Sequence, residues 1–235
     1  ASALLANNIH LVGRSFKYHR PRGIMTAGSE EPNAIIQVGN DKALTEPNVR
    51  ATELEIYEGL DASSQNCWPN VNFDIGGINN LISPLIPAGF YYKTFIKQAV
   101  WARVEDSLRA LSGFSEAPIE EDVDVYDHVH HHAEVLIIGG GAAGMSAALE
   151  VLNNSDSERV ILVDERARLG GELFNEFSAD ESANEWHKDS IADLCGFAKE
   201  QGDRFTMLSR ATAYAWHDQN YIQVLEPHAT GENLS

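Results

Sequence analysis

The sequence predicts a mixed α/β chain in which a small α+β module precedes an incomplete domain with a parallel sheet. Three observations support this prediction. Apolar residues alternate over short runs early in the chain but form compact runs after residue 133. A glycine-rich loop stands directly between one such run and a helical pattern. An acidic stretch without lysine or arginine, residues 115–132, separates the two patterns and is typical of a solvated connector.

Composition narrows the class of protein. The 235 residues include 17 Lys and Arg and 35 Asp and Glu, which gives a formal net charge of −18 at pH 7. Such acidity argues against a nucleic-acid binder that neutralises phosphates. The two cysteines are too few for a disulfide framework, a four-cysteine zinc site or a thiolate-ligated iron–sulfur cluster. We expect a cytoplasmic chain, because cysteine is scarce and no apolar run approaches the ~20 residues of a membrane span.

The first fifty residues differ in charge from the rest. They hold six Lys or Arg and four acids, a net charge of +2, so the remaining 185 residues carry −20. The chain begins without Met on what the pattern indicates is a helix already under way, and we therefore expect a fragment of a longer chain. Further on, the pattern predicts a strand at 34–38, a turn at Gly39-Asn40 and an alternating strand at 49–57.

Proline and glycine interrupt the pattern in the middle of the chain. Helical spacing of apolar residues predicts one helix, from Tyr91 to Leu111. We place the domain boundaries where the pattern changes. The predicted parts are a module at 1–58, a connecting region with the helix and the acidic linker at 59–132, and a second domain at 133–235.

The second domain is predicted from buried runs. Val135–Ile138 is an apolar run typical of a strand buried on both faces of a parallel sheet, and residues 159–163 form a second such strand. Helical patterns follow each of them, at 144–152 and at 183–199. The chain continues with a strand at 205–208 and with paired runs at 212–216 and 221–225, which predict a hairpin about Asp218-Gln219-Asn220.

The glycine-rich loop has the residue types and spacing of a dinucleotide-binding motif. Residues 139–144 satisfy G-x-G-x-x-G between a buried strand and a helix, and the next strand ends at Asp164, 20 residues beyond Gly144. Gly139 permits a tight turn, Gly141 lets the backbone approach a pyrophosphate at the helix N-terminus, and Gly144 lets helix and strand pack closely. Asp164, or Glu165 if the strand ends one residue later, can accept hydrogen bonds from a ribose diol. The predicted cofactor-binding residues are Gly139, Gly141, Ala142, Ala143, Gly144, Asp164, Glu165, Gly170 and Gly171.

The motif predicts that the second domain is a truncated Rossmann-like FAD/NAD(P)-binding domain, but it does not identify the dinucleotide. Gly170-Gly171 is a second turn, of a kind often placed over the cofactor in flavin and nicotinamide enzymes. NAD and FAD both present an adenosine diphosphate, so the loop does not distinguish them. An acid rather than Arg at the ribose position weighs against the 2′-phosphate of NADP. A turn of the same shape that binds no nucleotide is the alternative.

Several short and uncommon sequence motifs, called words below, are spread over nearly all of the chain and occur together in one known family. They are GRSFKYHRPRGI at 13–24, TAGSEEPNA at 26–34, Ser64-Gln65-Asn66, Trp68-Pro69, Phe73-Asp74, Ser83-Pro84, PAGFYYKTF at 87–95, Val163-Asp164-Glu165 and Gly170-Gly171. In these words the chain resembles the alpha subunits of heterotetrameric sarcosine oxidases. Those subunits are several times longer and end in a folate-binding region similar to the glycine-cleavage T-protein.

The resemblance implies a function for a whole complex. That complex would oxidatively demethylate sarcosine to glycine, reduce oxygen to hydrogen peroxide and pass the one-carbon unit to tetrahydrofolate. Substrate would be oxidised at a flavin in the beta subunit, and a second flavin would lie near the alpha–beta boundary. FMN and FAD are therefore both expected in the complex. The alpha subunit would carry NAD and assemble with beta, gamma and delta subunits. This segment would supply no catalytic residue and would be inactive alone.

The resemblance also implies a β-grasp, ferredoxin-like fold for the first module, whose relatives in amine dehydrogenases hold a [2Fe–2S] cluster. The loop that would carry the cluster cysteines, residues 26–31, contains no thiol here, so we expect a cluster-free module. Two alternatives stay open. One is a subunit of a related flavin-dependent amine or amino-acid dehydrogenase, and the other is a non-catalytic scaffold with a structural nucleotide.

Three other groups of residues are weighed as candidate sites. A basic group of four residues between positions 14 and 22 is expected to contact a flavin phosphate or an acidic partner. A solvated strand edge or internal ion pairing is the alternative. The histidines of the linker favour a solvated segment over a metal site, because no rigid element fixes their geometry. The cysteines lack a C-x-x-C spacing or a basic neighbour and are not expected to react. These groups are Arg14, Lys17, Arg20 and Arg22; His128, His130, His131 and His132; and Cys67 and Cys195.

Overall fold

The computed structural model describes residues 1–81, 83–85, 118–174, 181–200 and 202–227. The chain divides into two compact units, residues 1–125 and 126–234. The helix predicted between Tyr91 and Leu111 lies outside the described residues. None of the helices in the described ranges is long and apolar enough to cross a membrane.

The first unit is built from short strands around one small core. A short helix opens it, a two-stranded antiparallel ribbon follows, and a three-stranded antiparallel sheet has the order β4-β3-β5. The core lies between them and includes Val12, Ala34 and Ile36. The elements are α1 (Ser2–Ala6), β1 (Gly13–Arg14), β2 (Pro21–Arg22), β3 (Ile35–Val38), β4 (Glu46–Arg50), β5 (Ala62–Ser64) and two 3₁₀ turns, Ile75–Asn80 and Ser83–Leu85.

One strand of this unit lies elsewhere than predicted. The alternating pattern at 49–57 predicts a strand there, but β4 ends at Arg50 and a turn follows. The prediction is wrong because the chain turns after Arg50, whose carbonyl accepts the N–H groups of Glu53 and Leu54 at 3.0 and 3.3 Å. Ala51 then enters the core, and its N–H donates to the carbonyl of Ala34 at 2.8 Å.

The sheet of the first unit also continues beyond residue 58. β5 pairs with β3 through Ala62–Ser64, although its side chains are exposed and leave little apolar signal in the sequence. The boundary between the two compact units falls between residues 125 and 126, inside the acidic linker. The three-part division of the chain drawn from the sequence stays a prediction.

The second unit has the predicted α/β order. Its parallel sheet has the order β6-β7-β8, and an antiparallel hairpin follows. The helices pack on one apolar core whose fully buried members include Met145, Leu162 and Leu194. The elements are β6 (Val135–Ile138), α2 (Ala142–Asn154), β7 (Val160–Asp164), a 3₁₀ turn (Gly171–Phe174), α3 (Glu181–Glu200), β8 (Phe205–Ser209), β9 (Thr212–His217), a 3₁₀ turn (Asp218–Asn220) and β10 (Tyr221–Leu225).

The two strands predicted to be buried on both faces, β6 and β7, differ in their observed burial. All five residues of β7 are buried, as expected for a strand between two others. The same prediction is wrong for β6, in which Leu136 is 37% and Ile138 61% exposed. The reason is that β6 pairs with β7 alone among the described strands, and only its Val135 and Ile137 side packs on the core. The predicted hairpin is confirmed, with Gln219 and Asn220 at positive φ in its turn.

Candidate functional site

The glycine-rich loop joins β6 to α2 and is held by close backbone contacts. Gly139 turns the chain at φ +101°, a conformation that favours glycine, and its N–H donates to the carbonyl of Val163 at 2.8 Å. A Cβ on Gly144 would overlap the carbonyl oxygen of Gly139 and lie 3.3 Å from Ile137. The close packing of helix on strand therefore requires glycine at this position.

Gly141 has a different environment. It stands at the N-cap of α2 with φ −75° and ψ −171°, and a Cβ added there would meet no atom within 4 Å. Ala142, Ala143 and Gly144 form the first helical turn, whose N–H groups have no acceptor within the helix. These groups and the helix dipole favour an anion at this end. The open side of Gly141 is thus a place where a phosphate chain can approach the backbone.

Asp164 ends β7 and binds this loop. Its Oδ2 accepts the N–H of Gly140 at 2.5 Å, and its Oδ1 accepts the N–H of Arg166 at 2.7 Å. The residue is 7% exposed. A carboxylate offers about four lone-pair sites, so two remain for a diol. Asp164 therefore positions the loop, a role that the sequence did not reveal, and retains capacity for the predicted ribose contact. The neighbouring Glu165 is exposed.

The second glycine turn packs against the first. The N–H of Gly170 donates to the carbonyl of Gly140 at 2.8 Å. Gly171 has φ +56°, and a Cβ there would lie 3.0 Å from the Cα of Gly141. The structure brings the predicted residues of both turns and Asp164 together at one end of the parallel sheet. This donor set and cradle fit the pyrophosphate and ribose of a dinucleotide.

An ion pair borders the second turn. The guanidinium of Arg166 donates from Nη2 to Oε1 of Glu172 at 2.6 Å. The two residues lie six apart across the bend that includes Gly170 and Gly171, a separation that gives no periodic signal in the sequence. Sequence reasoning therefore missed this pair.

In the first unit, Glu31 is a buried carboxylate that the sequence analysis also missed. The residue is 1% exposed, and its oxygens accept four backbone N–H groups at 2.7–3.0 Å. Burial acts to raise the pKa of this carboxyl, but the four hydrogen bonds outweigh it and lower the pKa from 4.5 to about 2. The donors are Met25, Thr26, Asn33 and Ala34.

A second buried carboxylate, Asp74, joins distant parts of the first unit. Its Oδ2 lies 2.6 Å from Nδ1 of His19, and the Asp74 side chain is 1% exposed. Its Oδ1 accepts the N–H groups of Trp68 and Gly76 at 3.0 and 3.1 Å. Burial acts to raise the pKa of Asp74, and the hydrogen bonds from Trp68, His19 and Gly76 lower it below its ordinary value. Asp74 thereby links the basic stretch to the segment before the 3₁₀ turn.

The basic group binds mainly neutral oxygens. Arg14 donates to the carbonyl of Val71 from Nε at 2.9 Å and from Nη2 at 2.7 Å. Arg20 donates to Oδ1 of Asn80 at 3.1 Å, and Arg22 donates to Oδ1 of Asn33 at 3.0 Å.

Two members of the basic group also contact an aromatic ring. Lys17 and Arg20 both lie over the ring of Tyr18, at 4.9 and 4.8 Å from its centroid. The role of the basic group toward a flavin phosphate or a partner stays a prediction.

The remaining candidates give no site among the described residues. The four linker histidines are exposed and belong to no helix or strand. The part of the chain that the structure describes contains no group of three or more His, Cys, Asp or Glu placed to hold a metal ion. Burial, followed by the charge of Asp74, raises the pKa of the Cys67 thiol, which disfavours the reactive thiolate. Cys195 is exposed on α3.

Comparison with known proteins finds a family match within each unit. Residues 1–67 match the family of 2Fe-2S iron-sulfur cluster binding domains, and residues 137–191 match the family of NAD(P)-binding Rossmann-like domains. The predicted ferredoxin-like first module and Rossmann-like second domain are confirmed at this level.

The resemblance that the sequence words indicate is also confirmed. The chain is 45% identical over 96% of its length to the sarcosine oxidase subunit alpha of Rhizobium meliloti, strain 1021, and 32% identical over 94% to that of Corynebacterium sp., strain U-96. It spans 22% and 18% of the length of these two relatives. A crystal structure of L-proline dehydrogenase from P. horikoshii matches 95% of the chain and 33% of its own at 19% identity, with a TM-score of 0.45.

Proposed function

We propose that this chain is the nucleotide-binding part of a sarcosine oxidase alpha subunit, and that its second unit holds the adenosine diphosphate of NAD, or of FAD in the same site. The observation that carries the proposal is the open side of Gly141 at the N-terminus of α2, beside the carboxylate of Asp164. Gly139, Ala142, Ala143 and Gly144 would contact the pyrophosphate through the backbone. Asp164 would accept the ribose hydroxyls with its remaining lone pairs, with Glu165 beside it, and Gly170 and Gly171 would cover the phosphates.

The proposed activity belongs to the whole complex. By the similarity to sarcosine oxidase alpha subunits, the complex would demethylate sarcosine to glycine, form hydrogen peroxide and pass the one-carbon unit to tetrahydrofolate. FMN and FAD held in the complex would supply the redox chemistry. This chain would supply binding surface to beta, gamma and delta subunits and no acid, base or nucleophile. We place the complex in the cytoplasm.

Substitution of one glycine tests the nucleotide site. Gly141→Ala keeps an allowed backbone conformation and meets no protein atom, so the unit is expected to stay folded. The added methyl would occupy the space of the phosphates, and we expect calorimetric ADP affinity to fall at least about tenfold. Gly196→Ala on α3, which also meets nothing within 4 Å, is the matched control. Equal ADP affinity in both variants would overturn the proposed site.

The complete complex tests the activity and the identity of the nucleotide. Mass analysis of the nucleotide released from the purified full-length subunit separates NAD from FAD. Sarcosine-dependent formation of hydrogen peroxide by the assembled complex is the expected result. Turnover without peroxide would favour the dehydrogenase alternative. Reduction of bound NAD by sarcosine would exclude a structural nucleotide.

The first module is proposed to be free of an iron–sulfur cluster, although it matches a cluster-binding family. Two observations support this. Residues 26–31 contain no thiol, and the Glu31 carboxylate at the end of this loop accepts the backbone N–H of Thr26 and those of Met25, Asn33 and Ala34 on either side of the loop. Iron and acid-labile sulfide are expected to be absent after anaerobic reconstitution of the chain. Stoichiometric recovery of both would contradict this proposal.

A further inference from the structure

The chain that leaves β7 places the backbone N–H of an arginine, Arg166, on the carboxylate proposed to meet the ribose. The N–H of Arg166 donates to Oδ1 of Asp164 at 2.7 Å, and the carbonyl of Arg166 accepts the N–H of Arg210 at 3.1 Å. These two backbone hydrogen bonds fix Arg166 at the end of the parallel sheet. An arginine just after this strand is a position from which a 2′-phosphate can be recognised.

The guanidinium of Arg166 is already engaged. Its Nη2 lies 2.6 Å from Oε1 of Glu172, and the two side chains are 31% and 55% exposed. Glu172 follows Gly171, whose Cα region packs on Gly141, so the carboxylate belongs to the turn that borders the proposed phosphate site. The pair is formally neutral, and the two residues that precede Arg166 in the sequence, Asp164 and Glu165, are both acidic.

A 2′-phosphate carries close to two negative charges and needs an available cation. A free 2′-hydroxyl needs an acceptor, which Asp164 offers. We propose that Glu172 sets the preference of this site for an adenosine ribose with a free 2′-hydroxyl, by holding Arg166 in an ion pair. This inference rests on the proposed nucleotide site and adds to it a specificity-determining residue that does not touch the ribose.

The test uses two probes that differ only at the 2′ position, ADP-ribose and 2′-phospho-ADP-ribose, with affinities measured by calorimetry on the 235-residue chain. Glu172→Gln releases Arg166, and we expect affinity for the 2′-phosphate probe to rise about fivefold relative to ADP-ribose, the weight of one charge at about 4 Å in a water-like dielectric. Glu150→Gln removes the same charge from an exposed position on α2 and is expected to leave the ratio unchanged.

A second pair of variants separates the ion pair from simple repulsion. In an Arg166→Gln background, Glu172→Gln is expected to leave the ratio of affinities unchanged, because no guanidinium is released. The inference would be overturned if Glu172→Gln alone left the ratio of the two affinities unchanged, or if it gave the same gain in the Arg166→Gln background. The proposed nucleotide site would still stand in either case, provided that ADP-ribose binds. Failure of ADP-ribose to bind any of these proteins would refute the proposed site and this inference together.

Discussion

Replacement of Glu31 by Gln tests how the loop at residues 25–34 is held. The carboxylate accepts the N–H groups of Met25 and Thr26 through Oε2 and those of Asn33 and Ala34 through Oε1. An amide keeps one acceptor oxygen and turns an NH₂ group toward two N–H donors. Because the site is 1% exposed, water cannot replace the lost acceptor.

The magnitude follows from the pKa of Glu31, which is lowered from 4.5 to about 2. At 1.36 kcal/mol per pKa unit, this corresponds to about 3 kcal/mol of folding free energy. A lowered carboxyl pKa stabilises the folded state at pH values above that of the unfolded chain. The contribution is therefore complete above pH 4.5 and is lost as the pH falls from about 4.5 to about 2.

Hydrogen exchange of the loop amides, followed by mass spectrometry over a urea series, measures the free energy of opening in the full chain. Glu31→Gln is expected to lower it by about 3 kcal/mol at pH 7 and to flatten its pH dependence below pH 4.5. Glu30→Gln, an exposed neighbour, is the control and is expected to change neither quantity. Equal behaviour of the two variants would refute the reasoning.

Three further predictions concern packing and charge. Gly144→Ala is expected to destabilise the second unit by about 3 kcal/mol in urea unfolding, because its Cβ meets backbone that cannot move aside; Gly196→Ala is expected to cause no loss. Asp74→Asn is expected to lower the thermal midpoint of the first unit and to weaken the fall of that midpoint below pH 3.8, because the lowered Asp74 pKa stabilises the fold in full above the ordinary carboxyl pKa of 3.8 and progressively less below it. Arg159→Gln is expected to raise the Glu134 pKa from about 2 toward 4.5 in an NMR titration, since hydrogen bonds from Arg159 lower it.

Much of the second unit could be predicted from the sequence because its signals are local. The run Val135–Ile138, the loop 139–144 and the helix after it are consecutive, so spacing alone orders them. The first unit was harder. The chain turns after Arg50 although the alternating pattern continues to residue 57, and β5 carries Ala and Ser side chains without an apolar pattern.

The candidate site divides in the same way. The glycines and Asp164 are predictable because their residue types are required at a fixed spacing. The hydrogen bond from the N–H of Gly140 to Oδ2 of Asp164 is not, because it depends on how β7 lies against the loop 24 residues earlier. The Arg166–Glu172 pair likewise depends on the path of one bend, since nothing in residue type alone selects that partner.

The sequence by itself determined the order of helices and strands in the second unit, the place of the glycine loop and the similarity to sarcosine oxidase alpha subunits, because these depend on neighbours along the chain. The tertiary structure alone decided which carboxylates are buried and which backbone N–H groups they accept, because both depend on residues that the fold brings together. The open side of Gly141 and the close packing of Gly144 follow from the spacing of the motif, and the structure agrees with both. Glu30 and Glu31 are identical in type and adjacent, and the fold buries only Glu31.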